Sequence, residues 1–292
     1  MTQALLLLVL GNLFASLSDV SVKLLEGGLS PFQYIFIRQL IALLIVLPFW
    51  LRLAPSQQAA GSLPLNLFRA HLVLLGSGCM MVAVTHLPLA TANAVFYAAP
   101  VLMLPLSIWL LKEIPAKAKV LATCIGFIGV LVVLRPSQFH WAAIFAMGTA
   151  TTLALFNILV RKLPTGQPVI TTLFWTSLLS LPVSTVLAVN YWTPLTLEQV
   201  GWITASAVAI LAYNGCAVMA YKKVQANQIA MAEYSGLIFV TLFGMVWFDE
   251  VPDWLTVVGI ALIVLPMLYR NKHSRQITSP TEEENKALTT QN

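Results

Sequence analysis

Few residues in this 292-residue chain can do chemistry, and most of those that can stand inside apolar stretches. Asp19, Arg38 and Glu233 are each embedded in runs of hydrophobic side chains. An ionisable group in hydrocarbon costs roughly 2.5–3.5 kcal/mol on insertion scales, so each needs a partner or a polar chamber to face. Asp19 and Lys23 are one helical turn apart, in the order that favours an i, i+4 ion pair. Asp19 therefore either neutralises Lys23 or faces a cavity. Arg38 either bridges to Asp19 or offers its fork to an anionic group of a bound solute. A buried carboxyl that holds its proton in one state and releases it in another can couple a proton to another event. Glu233, beside Tyr234, and Asp19 are the candidates for that role.

Around these charges stand polar and aromatic residues that suit a small-molecule chamber, mostly aromatic with a few polar anchors. They are Asn93, Tyr97, Trp175, Tyr213, Asn214 and Tyr234. Gly11, Ala15, Asp19 and Lys23 share one stripe of the first helix. With a one-residue slip, Thr149, Leu153, Asn157 and Arg161 repeat its polar-then-basic order, which makes Asn157 the counterpart of Asp19. Pro100 and Pro105 fall inside the fourth apolar stretch, where each removes a helical hydrogen bond; they mark either a hinge or a static kink. Ala142, Ala146, Ala150 and Ala154 recur every four residues, as a close-packing face does. The cysteines, Cys79, Cys124 and Cys216, have no metal-ligand spacing and read as packing residues. No phosphate loop, nucleotide fingerprint, zinc motif or nucleophile elbow is present, so neither a metal nor a cofactor is expected. The four histidines are scattered, which argues against a membrane-embedded lipid enzyme, and no polar stripe suggests a passive channel.

The elements that must hold these residues are membrane helices. Charged residues make up only 9% of the chain and 59% is hydrophobic, more apolar surface than a water-soluble fold of this size can hide. Ten stretches have the length to cross a bilayer, near 4–24, 31–51, 68–87, 91–112, 117–134, 140–160, 169–189, 198–221, 227–248 and 253–269. They are apolar throughout rather than alternating, against a β-barrel. The first lacks a basic n-region and reads as a span, not a signal peptide. Residues 271–292 are polar and read as a disordered tail.

Two halves of the chain copy each other 137 residues apart. Gly78-Cys79 recurs as Gly215-Cys216, Tyr97 as Tyr234, Glu113-x-Pro115 as Glu250-x-Pro252, and Gly11 as Gly148. A unit of five spans ends on the side opposite its start, so the second copy, 139–270, must lie upside down relative to the first, 1–136. Inverted repeats characterise secondary transporters, with the solute site between them at midplane. Lys and Arg fix the orientation: with a cytoplasmic N-terminus, inner positions take Arg52, Arg69, Lys112, Lys117, Lys119, Arg161, Lys162, Lys222, Lys223 and the tail, leaving only Lys23 and Arg135 outside. Both termini are then cytoplasmic. Nothing marks an ATPase, a nucleic-acid partner or an obligate oligomer; a monomer or weak homodimer in the lipid bilayer is expected.

HLPLATANAVFYAAPVL (86–102) and LLKEIPAKAKVLATCIGFIGVLVVL (110–134), with their counterparts KKVQANQIAMAEYSGLIFV (222–240) and WFDEVPDWLTVVGIALIV (247–264), resemble the EamA family of the drug/metabolite transporter superfamily. The resemblance covers essentially residues 1–270. It implies an all-α integral membrane protein of ten helices in two inverted repeats, carrying a small metabolite across a bacterial cytoplasmic (inner) membrane. Asp19-x-x-x-Lys23 followed by SPFQYIFIRQL (30–40) is similar to the branch that includes riboflavin and S-adenosylmethionine carriers. An amino-acid or drug exporter of the same fold is the alternative.

Overall fold

The structure is a computed structural model that describes residues 2–25, 28–111, 117–134, 140–160, 162–164, 166–223, 235–262 and 265. Among the described residues all regular structure is helical. In chain order the helices are α1 (Thr2–Lys23), α2 (Pro31–Leu51), a single turn α3 (Pro55–Gln58), α4 (Leu63–His86), α5 (Leu89–Phe96) and α6 (Ala99–Leu111). There follow α7 (Lys117–Leu134), α8 (Ala142–Val160), α9 (Val169–Asn190), α10 (Leu197–Lys223), α11 (Ser235–Phe248) and α12 over 254–262.

Proline sets several helix starts. Pro31 and Pro64 occupy first-turn positions, where a missing N–H costs nothing and φ is already helical. Seven stretches are long and apolar enough to cross a membrane, and one of them, Leu89–Leu110, combines α5 and α6. The stretches expected near 117–134, 227–248 and 253–269 contain α7, α11 and α12; here Cys124–Val133 and Ser235–Phe248 are apolar but shorter. The 271–292 tail lies outside the described residues.

The molecule is built for a lipid solvent. Large apolar side chains point outward, with Trp109 77% and Val246 73% exposed, while Gln33, Thr171 and Ser206 are wholly buried. Backbone and polar side chains must be satisfied internally when no water is at hand. Interior hydroxyls do this by bonding to one another or to the turn below. Ser206 Oγ meets both Ser18 Oγ and Tyr34 Oη at 2.8 Å, and Ser184 Oγ donates to the Ser180 carbonyl at 2.9 Å.

Packing follows the repeat. α1 lies along α10, α8 lies along α4, and α2 faces α9. The small residues of the repeat mark where backbones come closest. A Cβ at Gly11 would stand 3.2 Å from Cys216 Cβ, and one at Gly148 would stand 2.9 Å from Cys79 Sγ. Each glycine thus meets the repeat equivalent of the other's cysteine. Cys79 and Cys216 are packing residues as expected, whereas Cys124 is exposed on the outer surface. The alanines of α8, at 142, 146, 150 and 154, are fully buried against the core.

The fourth stretch is broken just before Pro100 and not at Pro105. α5 ends at Phe96, Tyr97 and Ala98 form a turn, and α6 starts at Ala99 with Pro100 in its first turn. The residue at 100, a proline, has no N–H to offer the Phe96 carbonyl, so the hydrogen bond that would join the two helices is absent here. Pro105, by contrast, sits inside an unbroken α6.

Candidate functional site

A cavity with about 1040 Å³ of atom-free space, its mouth included, opens between α1, α2, α4, α5, α8 and α10. Its lining is largely apolar, with charge and amides at a few points. Asp19 enters from α1, one turn before that helix ends, and is 8% exposed. Asn93 of α5 and Arg38 of α2 line the same cavity, so an amide and a positive charge share the space that the Asp19 carboxylate faces. Asn93 is buried and its Nδ2 donates to the Leu89 carbonyl at 3.2 Å.

Arg38 does not bridge to Asp19. Its Nη2 donates to Ser77 Oγ, and the guanidinium carbon stands 5.5 Å from the centre of the Tyr34 ring. The two opposite charges therefore face one chamber without closing on each other. Lys23 also ignores Asp19: its Nζ pairs with Glu250 and donates to the Leu87 carbonyl at 3.0 Å. Glu250 in turn accepts from the Leu89 backbone N–H at 2.6 Å. With Lys23 held at the helix end, Asp19 is left for the cavity.

Tyr97, Asn157, Tyr213 and Asn214 line the same cavity. Tyr97 lies in the turn between α5 and α6, and its hydroxyl occupies the place a Cβ on Gly236 would take. Asn12 lines the wall nearby and donates to Ser235 Oγ at 3.2 Å, which ties α1 to the start of α11. Trp175 lies elsewhere: its Nε1 donates to the Gln58 carbonyl at 2.9 Å and its ring packs on Phe174 and Trp50. It clamps α9 to the α3 turn rather than lining the chamber. Glu233 and Tyr234 lie outside the described residues.

The EamA-like transporter family model matches the chain twice, over residues 2–135 and 140–269. The chain belongs to the EamA-like transporter family. The S-adenosylmethionine uptake transporter of Rickettsia prowazekii is 26% identical over 272 residues, covering 89% of this chain and 90% of that protein. The pseudopaline exporter of Pseudomonas aeruginosa is 25% identical, with 89% and 93% covered, and the riboflavin transporter of Vibrio cholerae is 24% identical, with 91% of each covered. A protein of known crystal structure shares the fold with a TM-score of 0.68 at 18% identity, over 95% of this chain and 99% of that one. This EamA protein is accordingly a membrane transporter of metabolites and not an enzyme.

One residue of this EamA transporter lies far from its expected place. Arg69 counts as a loop charge in the sequence, yet α4 starts at Leu63, so Arg69 stands nearly two turns inside the helix and is wholly buried. The signal was Pro64, a helix-start residue four positions before the apolar stretch. Gly76, Ser77, Thr152 and Phe156 also line the cavity without having been singled out, because small or apolar residues are too common in membrane helices to stand out.

Proposed function

We propose that this protein is a secondary carrier that moves a small organic metabolite through the central cavity by alternating access. Residues 1–136 and 139–270 act as inverted five-helix repeats that rock about the cavity, with both termini on the cytoplasmic face of a bacterial inner membrane. Asp19, Arg38, Asn93, Tyr97, Asn157, Tyr213 and Asn214 contact the solute, and Asp19 and Glu233 are the groups that carry a coupled proton. The observation that supports this reading best is one chamber, lined by helices of both halves, in which a buried carboxylate and a buried guanidinium remain uncombined. Opposite charges held apart in a low-dielectric space are poised for a solute that satisfies both.

The similarity to S-adenosylmethionine and riboflavin carriers favours a nucleoside- or vitamin-like cargo. The similarity to an exporter keeps export of an amino-acid-like metabolite as the second reading. Purified protein in proteoliposomes preloaded with unlabelled S-adenosylmethionine or riboflavin is expected to show saturable counterflow of the labelled solute. Flux that never saturates would point to a channel instead.

A further inference from the structure

A second, smaller pocket opens beside the main cavity and shares Arg38, Val73, Phe156, Ile210 and Asn214 with it. Its other walls come from Gln39 of α2, Arg69 of α4 and Thr172, Thr176 and Ser177 of α9. Arg69 is 0% exposed, and no acceptor lies within hydrogen-bonding distance of its Nε, Nη1 or Nη2. The guanidinium carbon stands 4.2 Å from the centre of the Phe156 ring, which leaves the rim of the fork without a partner. Arg38 Nε and Gln39 Nε2 are likewise buried and unmatched. All five unmatched atoms around this pocket are donors, and none is an acceptor.

Orphaned buried donors are costly, and a buried unpaired guanidinium more so, because its charge has lost water and gained no counter-charge. Ordinary packing does not explain the position. The repeat does not impose an arginine either, since the equivalent residue 137 positions on is Ser206. From this geometry we infer that the pocket is an anion dock: it receives a carboxylate of the transported solute, with Arg69 giving the bidentate fork and Gln39 and Arg38 Nε completing the shell. A carboxylate fits better than a phosphate. Only one guanidinium is wholly free, because Arg38 already gives Nη2 to Ser77, and one planar fork matches one planar carboxylate. Asp19 faces the adjoining chamber, so the solute carries a cationic group as well, and the class is a zwitterionic, amino-acid-bearing metabolite. This rests on the carrier reading only for the word transported; the dock itself stands on the pocket.

The test has two arms on the full chain. In the first, thermal melting of the purified protein is followed with methionine, with methioninamide, which lacks the carboxylate, and with inorganic phosphate. The wild type is expected to gain melting temperature with methionine and not with methioninamide. Arg69→Met is expected to lose that gain while melting, without ligand, at least as high as the wild type, since an apolar side chain replaces an unmatched charge. Gln39→Leu is expected to weaken the response in an otherwise native fold. Equal response to methionine and methioninamide, a response to phosphate alone, or a ligand-free Arg69→Met that melts well below the wild type would each overturn the dock. In the second arm, proteoliposome counterflow of S-adenosylmethionine is expected to need about 10- to 100-fold more solute for half-saturation in Arg69→Met, the loss that follows from a charge-assisted bidentate bond. Unchanged half-saturation there overturns the dock. Absence of any counterflow in the wild type, with the melting arm intact, overturns the carrier reading and leaves the dock standing.

Discussion

Asp19 and Arg38 were visible as candidates because a charge inside an apolar stretch has few innocuous explanations. Which explanation holds depended on neighbours far away in sequence. Lys23 is taken by Glu250, 227 residues on, and Arg38 by Ser77, 39 residues on, so Asp19 remains open to the chamber beside Asn93. Asp19→Asn keeps the shape of the side chain and removes its charge. It is expected to lower transport about 10- to 100-fold, the worth of a charged hydrogen bond, with unchanged elution in size-exclusion chromatography. If Asp19 carries a coupled proton, the residual transport of that variant is also expected to be flat across pH. Trp175→Phe, by contrast, is expected to leave half-saturation unchanged and to lower the melting temperature by a few degrees, since it removes the bond to the Gln58 carbonyl and part of the ring that packs on Trp50 and Phe174.

At the level of elements, the repeat residues act as contact points between helices. Gly148 on α8 admits Cys79 of α4, and Gly11 on α1 admits Cys216 of α10, so the periodic small residues set how closely two pairs of helices approach. Gly148→Leu would force α8 away from α4 and is expected to destabilise the fold by about 1–3 kcal/mol, read as a lower melting temperature in detergent. The α5–α6 break carries a different expectation. Pro100→Ala restores an N–H able to reach the Phe96 carbonyl, and so permits a continuous helix. It is expected to slow turnover while leaving half-saturation near the wild-type value, because Asp19, Arg38 and Asn93 stay where they are. Unchanged turnover would make the break a static feature.

For the whole molecule, the Lys23–Glu250 pair is the informative contact. It ties the end of α1, in the first half, to the segment after α11, in the second, and the Leu89 N–H and Leu87 carbonyl join the same knot. If the halves rock against each other, this end of the molecule has to open. A disulfide between Lys23→Cys and Glu250→Cys is expected to stop transport, and reductant to restore it. Transport that persists in the oxidised double variant would mean the halves do not separate here.

Composition, span lengths and the 137-residue repeat were enough to establish a membrane protein of packed helices, because an apolar majority has nowhere else to fold and because a duplication is legible one residue at a time. Seven of the residues that line the cavity were legible as candidates for a related reason: polar groups in apolar helices turn inward, although exposed aromatics such as Trp109 show that the aromatic ones need not. What the sequence by itself left open was partnership. Proximity between Asp19 and Lys23 along one helix suggested an ion pair that the fold replaced with Glu250, and Arg69, at the edge of an apolar stretch starting near 68, was counted with the loop charges although its helix begins at Leu63. Local spacing governs which residues share a face; only tertiary packing decides which charges meet, and it left Arg69 buried against Phe156 with no hydrogen-bond partner.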